Sequence, residues 1–263
     1  LFPPEQAAHL IAKSRHALTI LLPLLRRRGD RLLVRRGHGD LHLGNIVMID
    51  GKPVLFDAIE FDPLVASGDV LYDLAFLLMD LVERKLPPAA NIVLNRYLAE
   101  MKRDDDFDGL AALPFFMSMR AAIRAKVTAA KREYAAEKDK AAIGNSARDY
   151  FALALTLIAP PPPMLIAVGG LSGTGKSVLA RMLAADIPPV PGAVVLRSDT
   201  ARKELFAYAE TERLPDHAYT AAVTEKVYAA LCAHAARILR AGHSAIVDAM
   251  FAKPDERDAA ARI

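Results

Sequence analysis

Two short stretches of the chain carry residue types at spacings suited to phosphate chemistry. The first, Gly170-Leu171-Ser172-Gly173-Thr174-Gly175-Lys176-Ser177, satisfies G-x-x-x-x-G-K-[ST] in full. Glycines at these positions let successive backbone N–H groups converge on one concavity that suits phosphate oxygens. A helix starting near Lys176 adds its positive end. The lysine can reach β- and γ-phosphates, and the Ser177 hydroxyl can ligate Mg2+. Gly170 through Val178 therefore read as an ATP-binding set. A chance glycine-rich turn is the alternative, and context opposes it: the apolar run Met164–Val168 precedes the motif and a helical pattern over Lys176–Asp186 follows.

Two further acids belong to the same region. Asp199, in Arg197-Ser198-Asp199-Thr200-Ala201-Arg202, follows a second apolar strand at Ala193–Arg197. Residues just beyond strand carboxyl ends face the ligand crevice of an open α/β sheet. There Asp199 could take a proton from an acceptor hydroxyl, and Arg202, on the same helical face, could hold an anionic group. The alternative makes Asp199 a helix cap with Arg202 as its surface partner. Asp248, closing a third strand Ser244–Asp248, could support Mg2+ through water or cap a helix.

The second stretch is His38-Gly39-Asp40-Leu41-His42-Leu43-Gly44-Asn45, with Asp57 twelve residues after Asn45. A loop Asp that accepts a hydroxyl proton, an Asn five residues on that turns to Mg2+, and an Asp across a short hairpin on the same metal form a phosphotransfer set. Asp40, Asn45 and Asp57 have that order, and the alternative is a polar turn with capping acids. His38 reads as an orienting or packing residue; His42 could be structural or functional. Zinc finds no further ligand at a convincing spacing.

The elements that must position these residues fall on either side of Ala159–Pro163, where four consecutive prolines favour a stiff spacer. We read residues 1–158 as one domain, 159–163 as a linker and 164–263 as a second domain. In the first, helices are expected over Glu5–Leu25 (closed by Arg26–Gly29), Asp69–Glu83, Ala89–Met101, Leu110–Asp139 and Ala141–Ile158. A strand is expected over Leu32–Arg36, and Ile46–Ile49 and Val54–Phe56 form a hairpin across Asp50-Gly51. In the second, the three strands alternate with helices at Lys176–Asp186, from Asp199 and over Ala218–Ala241, which implies a parallel sheet.

Composition sets outer limits. Among 263 residues, 53% are hydrophobic and 25% charged, enough for a sizeable core, and the net charge of +3 is short of a dedicated nucleic-acid binder. The longest apolar stretches, Ala17–Leu25 and Ala152–Gly170, are broken by proline, so no membrane partner is expected. A single cysteine, Cys232, cannot form an internal disulfide and suits a reducing, cytoplasmic setting. The basic residues Arg120, Arg124 and Lys131 on one helical face could attract an anionic acceptor, but such a series more often forms a solvated side, and that is the reading taken. Asp104-Asp105-Asp106 reads as an exposed acidic loop.

GGLSGTGKS, RSDTARKELF and IVDAMF resemble the small P-loop kinases of the polynucleotide-kinase and zeta-toxin type, the predicted AAA-type kinases. That resemblance implies Asp199 as general base and Arg202 as substrate-binding. HGDLHLGNI, FDAIEFD and GDVLYDLAFLLMDL resemble the aminoglycoside-phosphotransferase-like kinases, and in particular bacterial fusions of such a domain with a P-loop kinase. It implies a mainly α carboxyl lobe of a protein-kinase-like fold followed by an α/β P-loop core. Asp40 would be a base, Asn45 and Asp57 metal ligands, and Asp69 and Asp73 structural acids. On this resemblance an amino-terminal lobe would precede Leu1, and on that to the P-loop kinases a lid segment would follow Ile263, so the chain is expected to be truncated at both ends.

The expectation is thus an ATP- and Mg2+-dependent phosphotransferase acting on a small hydroxyl acceptor, with Lys176, Asp199, Arg202 and Asp40 as its chemical residues. Rival readings are a nucleotide-operated regulatory module and a nucleic-acid 5′-end kinase. The second lacks a basic stretch interleaved with aromatic residues. The acceptor and the oligomeric state are not written in these motifs.

Overall fold

The computed structural model describes residues 1–263. The chain divides into two compact units, 1–93 with 109–160 and 94–108 with 161–263.

The first unit opens with α1 (Pro4–Asp30) and β1 (Val34–Arg36). Instead of closing at Arg26–Gly29, α1 runs through them and through the exposed Pro23. The cause is tertiary: Arg28, fully buried, forms a two-pronged bond to Asp69 (2.6 and 2.9 Å), which holds the last turn helical. A single turn at Leu43–Asn45 leads into the hairpin β2 (Ile46–Ile49) and β3 (Lys52–Leu55). Asp50 and Gly51 both have positive φ (50° and 72°), the two-residue turn expected of Asp-Gly. Next come α2 (Pro63–Ala66), β4 (Ser67–Asp69), which pairs antiparallel with β1, and α3 (Val70–Glu83). Asp69 caps α3 by accepting from Leu71 N–H at 2.9 Å. Leu71, Ala75, Leu78 and Met79 of α3 are at or near zero exposure, a spacing of three and four residues that buries one continuous stripe.

After α4 (Pro87–Met101) and α5 (Asp104–Gly109) come α6 (Leu113–Tyr134) and α7 (Glu137–Leu157). The break falls at Ala135–Ala136, both extended, rather than after Asp139. Pairing explains it: Ser118 donates to Ala154 O at 2.8 Å and Arg132 packs beside Gly144, so the two helices form an antiparallel hairpin that needs its turn there. Asp104–Asp106 is helical rather than a loop, and Asp106 is fully buried against the Arg103 guanidinium (3.0 Å).

The second unit contains β5 (Leu165–Val168), α8 (Lys176–Ala184), β6 (Val194–Arg197), α9 (Ser198–Leu205), α10 (Ala221–Arg240), β7 (Ala245–Asp248) and α11 (Pro254–Ala261). Its three strands form a parallel sheet in the order β5-β7-β6. Val168, Ala180, Ala184, Ala193 and Ile246 make its core, small residues letting α8 lie close to the sheet. Segment 94–108 belongs here because its side chains are bound here. Asn95 accepts from Val195 N–H (2.8 Å) and donates to Ala193 O (3.1 Å), standing in for a neighbouring strand along the edge of β6. Asp104 and Asp108 hold the Arg237 guanidinium at 2.6–2.9 Å.

Candidate active site

In the second unit, Val168, Asp248 and Arg197 stand in one register row across the sheet. The loops leaving their carboxyl ends carry every P-loop candidate. Gly170, Gly173 and Gly175 have φ of +154°, +80° and +84°. A Cβ on Gly173 or Gly175 would meet nothing within 4 Å, so glycine is needed there for conformation rather than space, a left-handed L-residue costing about 1–2 kcal/mol. Leu171 through Gly175 and Val178 are exposed, and Gly175 is the residue from which α8 starts. The loop and the start of the helix are thus open to solvent, with the amides of Gly170 and Thr174 bonded to Met250 O (3.3 Å) and Leu171 O (3.4 Å). Lys176 Nζ donates to Leu171 O at 3.0 Å, which folds the side chain back over the loop.

Beneath the loop, Ser177 donates its hydroxyl to Asp248 Oδ2 at 2.5 Å. Asp248 is 3% exposed, its Oδ1 has no partner, and Arg197 Nε lies 3.6 Å from Oδ2. It caps no helix, since α11 begins only at Pro254. A buried carboxylate oxygen without a donor, beside a hydroxyl, suits Mg2+, which takes oxygen ligands and completes its shell with phosphates and water. Ser177 and Asp248 would hold it.

Asp199 lies in the first turn of α9, half exposed, with Lys203 Nζ at 3.3 Å. It is not the cap of that helix, a position held by Arg197. Arg202 departs from the expectation that it faces an acceptor. It is 9% exposed and donates to Ala218 O (2.6 Å) and Thr224 Oγ1 (3.3 Å), with Tyr219 stacked 5.1 Å from its guanidinium. These contacts tie α9 to Ala218 and to the first turn of α10, a structural task that engages both terminal nitrogens.

In the first unit, Asn45 Nδ2 donates to Asp40 O (2.9 Å) and Asp40 Oδ2 (3.2 Å), leaving the Asp40 carboxylate partly open to solvent. Phe56 N–H donates to Asn45 O at 3.1 Å, and Ile59 N–H to His38 O at 2.9 Å. His38 Nε2 reaches Phe56 O at 2.9 Å, so we assign its proton to that nitrogen. These bonds tether exposed Asp57, itself in the left-handed region (φ 61°), to the loop that carries Asp40 and Asn45. His38 therefore orients. His42 Nδ1 accepts from Gly44 N–H (3.0 Å) and Nε2 lies 3.4 Å from Asp40 Oδ2. Burial lowers its pKa, and the Asp40 charge opposes that.

Asp73 is one of the structural acids that the resemblance implies, and Asp80 is a second support that the sequence reading did not name. Asp73 accepts from the successive amides of His38 (2.7 Å) and Gly39 (3.0 Å), and Asp80, two turns on along α3, accepts from Leu43 N–H (3.0 Å). Together they clamp both ends of the loop that presents Asp40. Asp80 is fully buried and also meets Arg84 and Tyr150. An acid inside the apolar run Leu77-Leu78-Met79-Asp80-Leu81 was the available signal. Arg120 overturns the solvated-face reading: it is 9% exposed and lies over the rings of Tyr72 (3.9 Å) and Phe76 (4.7 Å). Burial lowers its pKa, while Tyr72, Asp73 and Asp40 raise it.

Residues 2–113 match the model of the phosphotransferase enzyme family, and residues 165–263 match that of an AAA domain. The chain thus joins a region similar to the phosphotransferase enzyme family to one similar to an AAA domain of the P-loop kinase type. It is 31% identical over 231 residues to uncharacterized proteins of Mycobacterium bovis and Mycobacterium tuberculosis, covering 86% of this chain and 44% of each relative. The chain thus spans less than half the length of these relatives. No solved structure matches it. No helix is long and apolar enough to cross a membrane.

Proposed function

We propose that the chain is an ATP-dependent phosphotransferase whose P-loop unit moves the γ-phosphoryl group to a hydroxyl of a small-molecule acceptor. The observation that carries this reading is the Ser177–Asp248 pair directly beneath a complete P-loop, with one buried carboxylate oxygen free to meet a metal. Lys176 and the loop amides would neutralise the β- and γ-phosphates. Ser177 and Asp248 would hold Mg2+, which would supply positive charge against the phosphates. Asp199 would accept the acceptor's proton as the hydroxyl oxygen bonds to γ-phosphorus. The bond from γ-phosphorus to the bridging oxygen then breaks, and ADP leaves with the electron pair.

The first unit would supply a second set, Asp40 as base with Asn45 and Asp57 toward Mg2+. A cytoplasmic setting is proposed on Cys232, which has no second cysteine to pair with. The test is Asp199→Ala, with ATP binding and acceptor-stimulated ADP release measured in parallel. Binding should persist while release falls by about 10²-fold or more, the usual worth of a positioned base. Equal loss of both would remove Asp199 from the chemistry. ADP release unaffected by any hydroxyl acceptor would favour a nucleotide-operated switch, and selective stimulation by oligonucleotides a 5′-end kinase.

A further inference from the structure

The first unit holds a cleft of about 160 Å³ whose wall includes Gly39, the residue before Asp40. That is well below the roughly 300–1,000 Å³ of drug-sized ligand sites, so it suits one compact group of a larger molecule. Three arginines line it, Arg35, Arg36 and Arg120. Two acids, Asp69 and Asp73, line it as well. Their charge is already engaged: Asp69 by the buried Arg28 (2.6 Å), and Asp73 by the amides of His38 and Gly39 (2.7 and 3.0 Å).

The arginines have capacity left. Arg120 sits in an aromatic bracket, donates only weakly to Tyr72 O (3.4 Å), and its Nη2 is 3.9 Å from Asp73. Arg35 uses Nε on Leu32 O (2.9 Å), which leaves its terminal nitrogens, and Arg36 is exposed at the end of β1. A fork of guanidinium donors with a buried, stacked member is the arrangement that recognises planar or tetrahedral oxyanions. The same charges would repel a polycationic aminoglycoside.

We propose that this cleft is an oxyanion subsite, and that the acceptor whose hydroxyl meets Asp40 carries a phosphate or carboxylate group seated against Arg120, Arg35 and Arg36. The assignment to the acceptor rests on the reading of Asp40 as a base; the anion site itself does not.

The experiment is calorimetric titration of inorganic phosphate, and separately of acetate, into the full chain carrying Lys176→Ala, so that the P-loop no longer competes for anions. Arg36→Gln and Arg120→Gln are then added singly, with circular dichroism to confirm that each chain is folded. We expect one anion site to remain in the Lys176→Ala chain and to weaken about tenfold or more with either arginine replaced. The tighter of the two probes identifies the group. Arg36 is exposed, so its replacement leaves the fold intact should Arg120→Gln not fold. Absence of anion binding in the Lys176→Ala chain, or binding indifferent to Arg36→Gln, overturns the proposal. No nucleotide is present, so the outcome is independent of whether Asp199 or Asp40 serves as a base in phosphoryl transfer.

Discussion

Replacing Asp248 by asparagine should stabilise the empty chain or leave it unchanged, while weakening its hold on MgATP. The carboxylate is 3% exposed and one of its oxygens has no partner, a situation that costs about 1–3 kcal/mol, more when the group is charged. The amide keeps the volume and an acceptor for the Ser177 hydroxyl, and Arg197 keeps Glu210 at 3.5 Å. Removing the charge should therefore raise nucleotide-free stability by up to about 1 kcal/mol. The metal site loses a charged ligand, worth about 1.5–3 kcal/mol, or roughly 10- to 150-fold in MgATP affinity. At free MgATP of about 100 times the wild-type Kd, linkage stabilises the wild type by about 2.7 kcal/mol. The same concentration gives about 1.4 kcal/mol after tenfold weakening and about 0.4 kcal/mol after hundredfold weakening. Urea denaturation with and without MgATP reads both quantities. A variant that is less stable when empty yet gains as much from MgATP as the wild type would refute the assignment of Asp248.

Two further outcomes concern the framework. His243 is fully buried, donates to Gly192 O at 2.9 Å, and burial pushes its pKa down to about 4 from the ordinary 6.5. The unfolded chain therefore takes up this proton first as pH falls, and stability declines between about pH 6.5 and 4 by up to about 3 kcal/mol. Urea midpoints across that window should fall less steeply in His243→Asn, and an unchanged slope would contradict the burial argument. Asp69→Ala strands the buried Arg28 charge and uncaps α3, and should cost about 3–5 kcal/mol in urea denaturation. A loss below 1 kcal/mol would mean that the pair is not what holds the end of α1.

The chemistry was more legible in the sequence than its supports. The P-loop can be read because strand, glycine turn and helix are contiguous and each glycine answers a local backbone need. The Asp-Gly hairpin and the Asp40–Asn45 spacing are local in the same sense. Asp80 was hidden because its partner is an amide 37 residues upstream, and a helical pattern does not say which loop an acid will clamp; for Asp73, expected as a structural acid, the pattern did not show that its partners are the amides of His38 and Gly39. Arg120 and Arg202 misled for a related reason. Helical spacing puts a cation on a face, but only the packed neighbours decide whether that face meets water, aromatic rings or a carbonyl. The placement of segment 94–108 with the second unit depends on Asn95 reaching the edge of β6, nearly 100 residues away in sequence.

The most direct test of the central claim is calorimetric titration of MgATP into the chain and into Lys176→Ala. The account predicts saturable binding to the unmutated chain, with loss of about tenfold or more in affinity when the lysine is removed. Equal binding to both, or binding to neither, would contradict the assignment of the P-loop as a working nucleotide site.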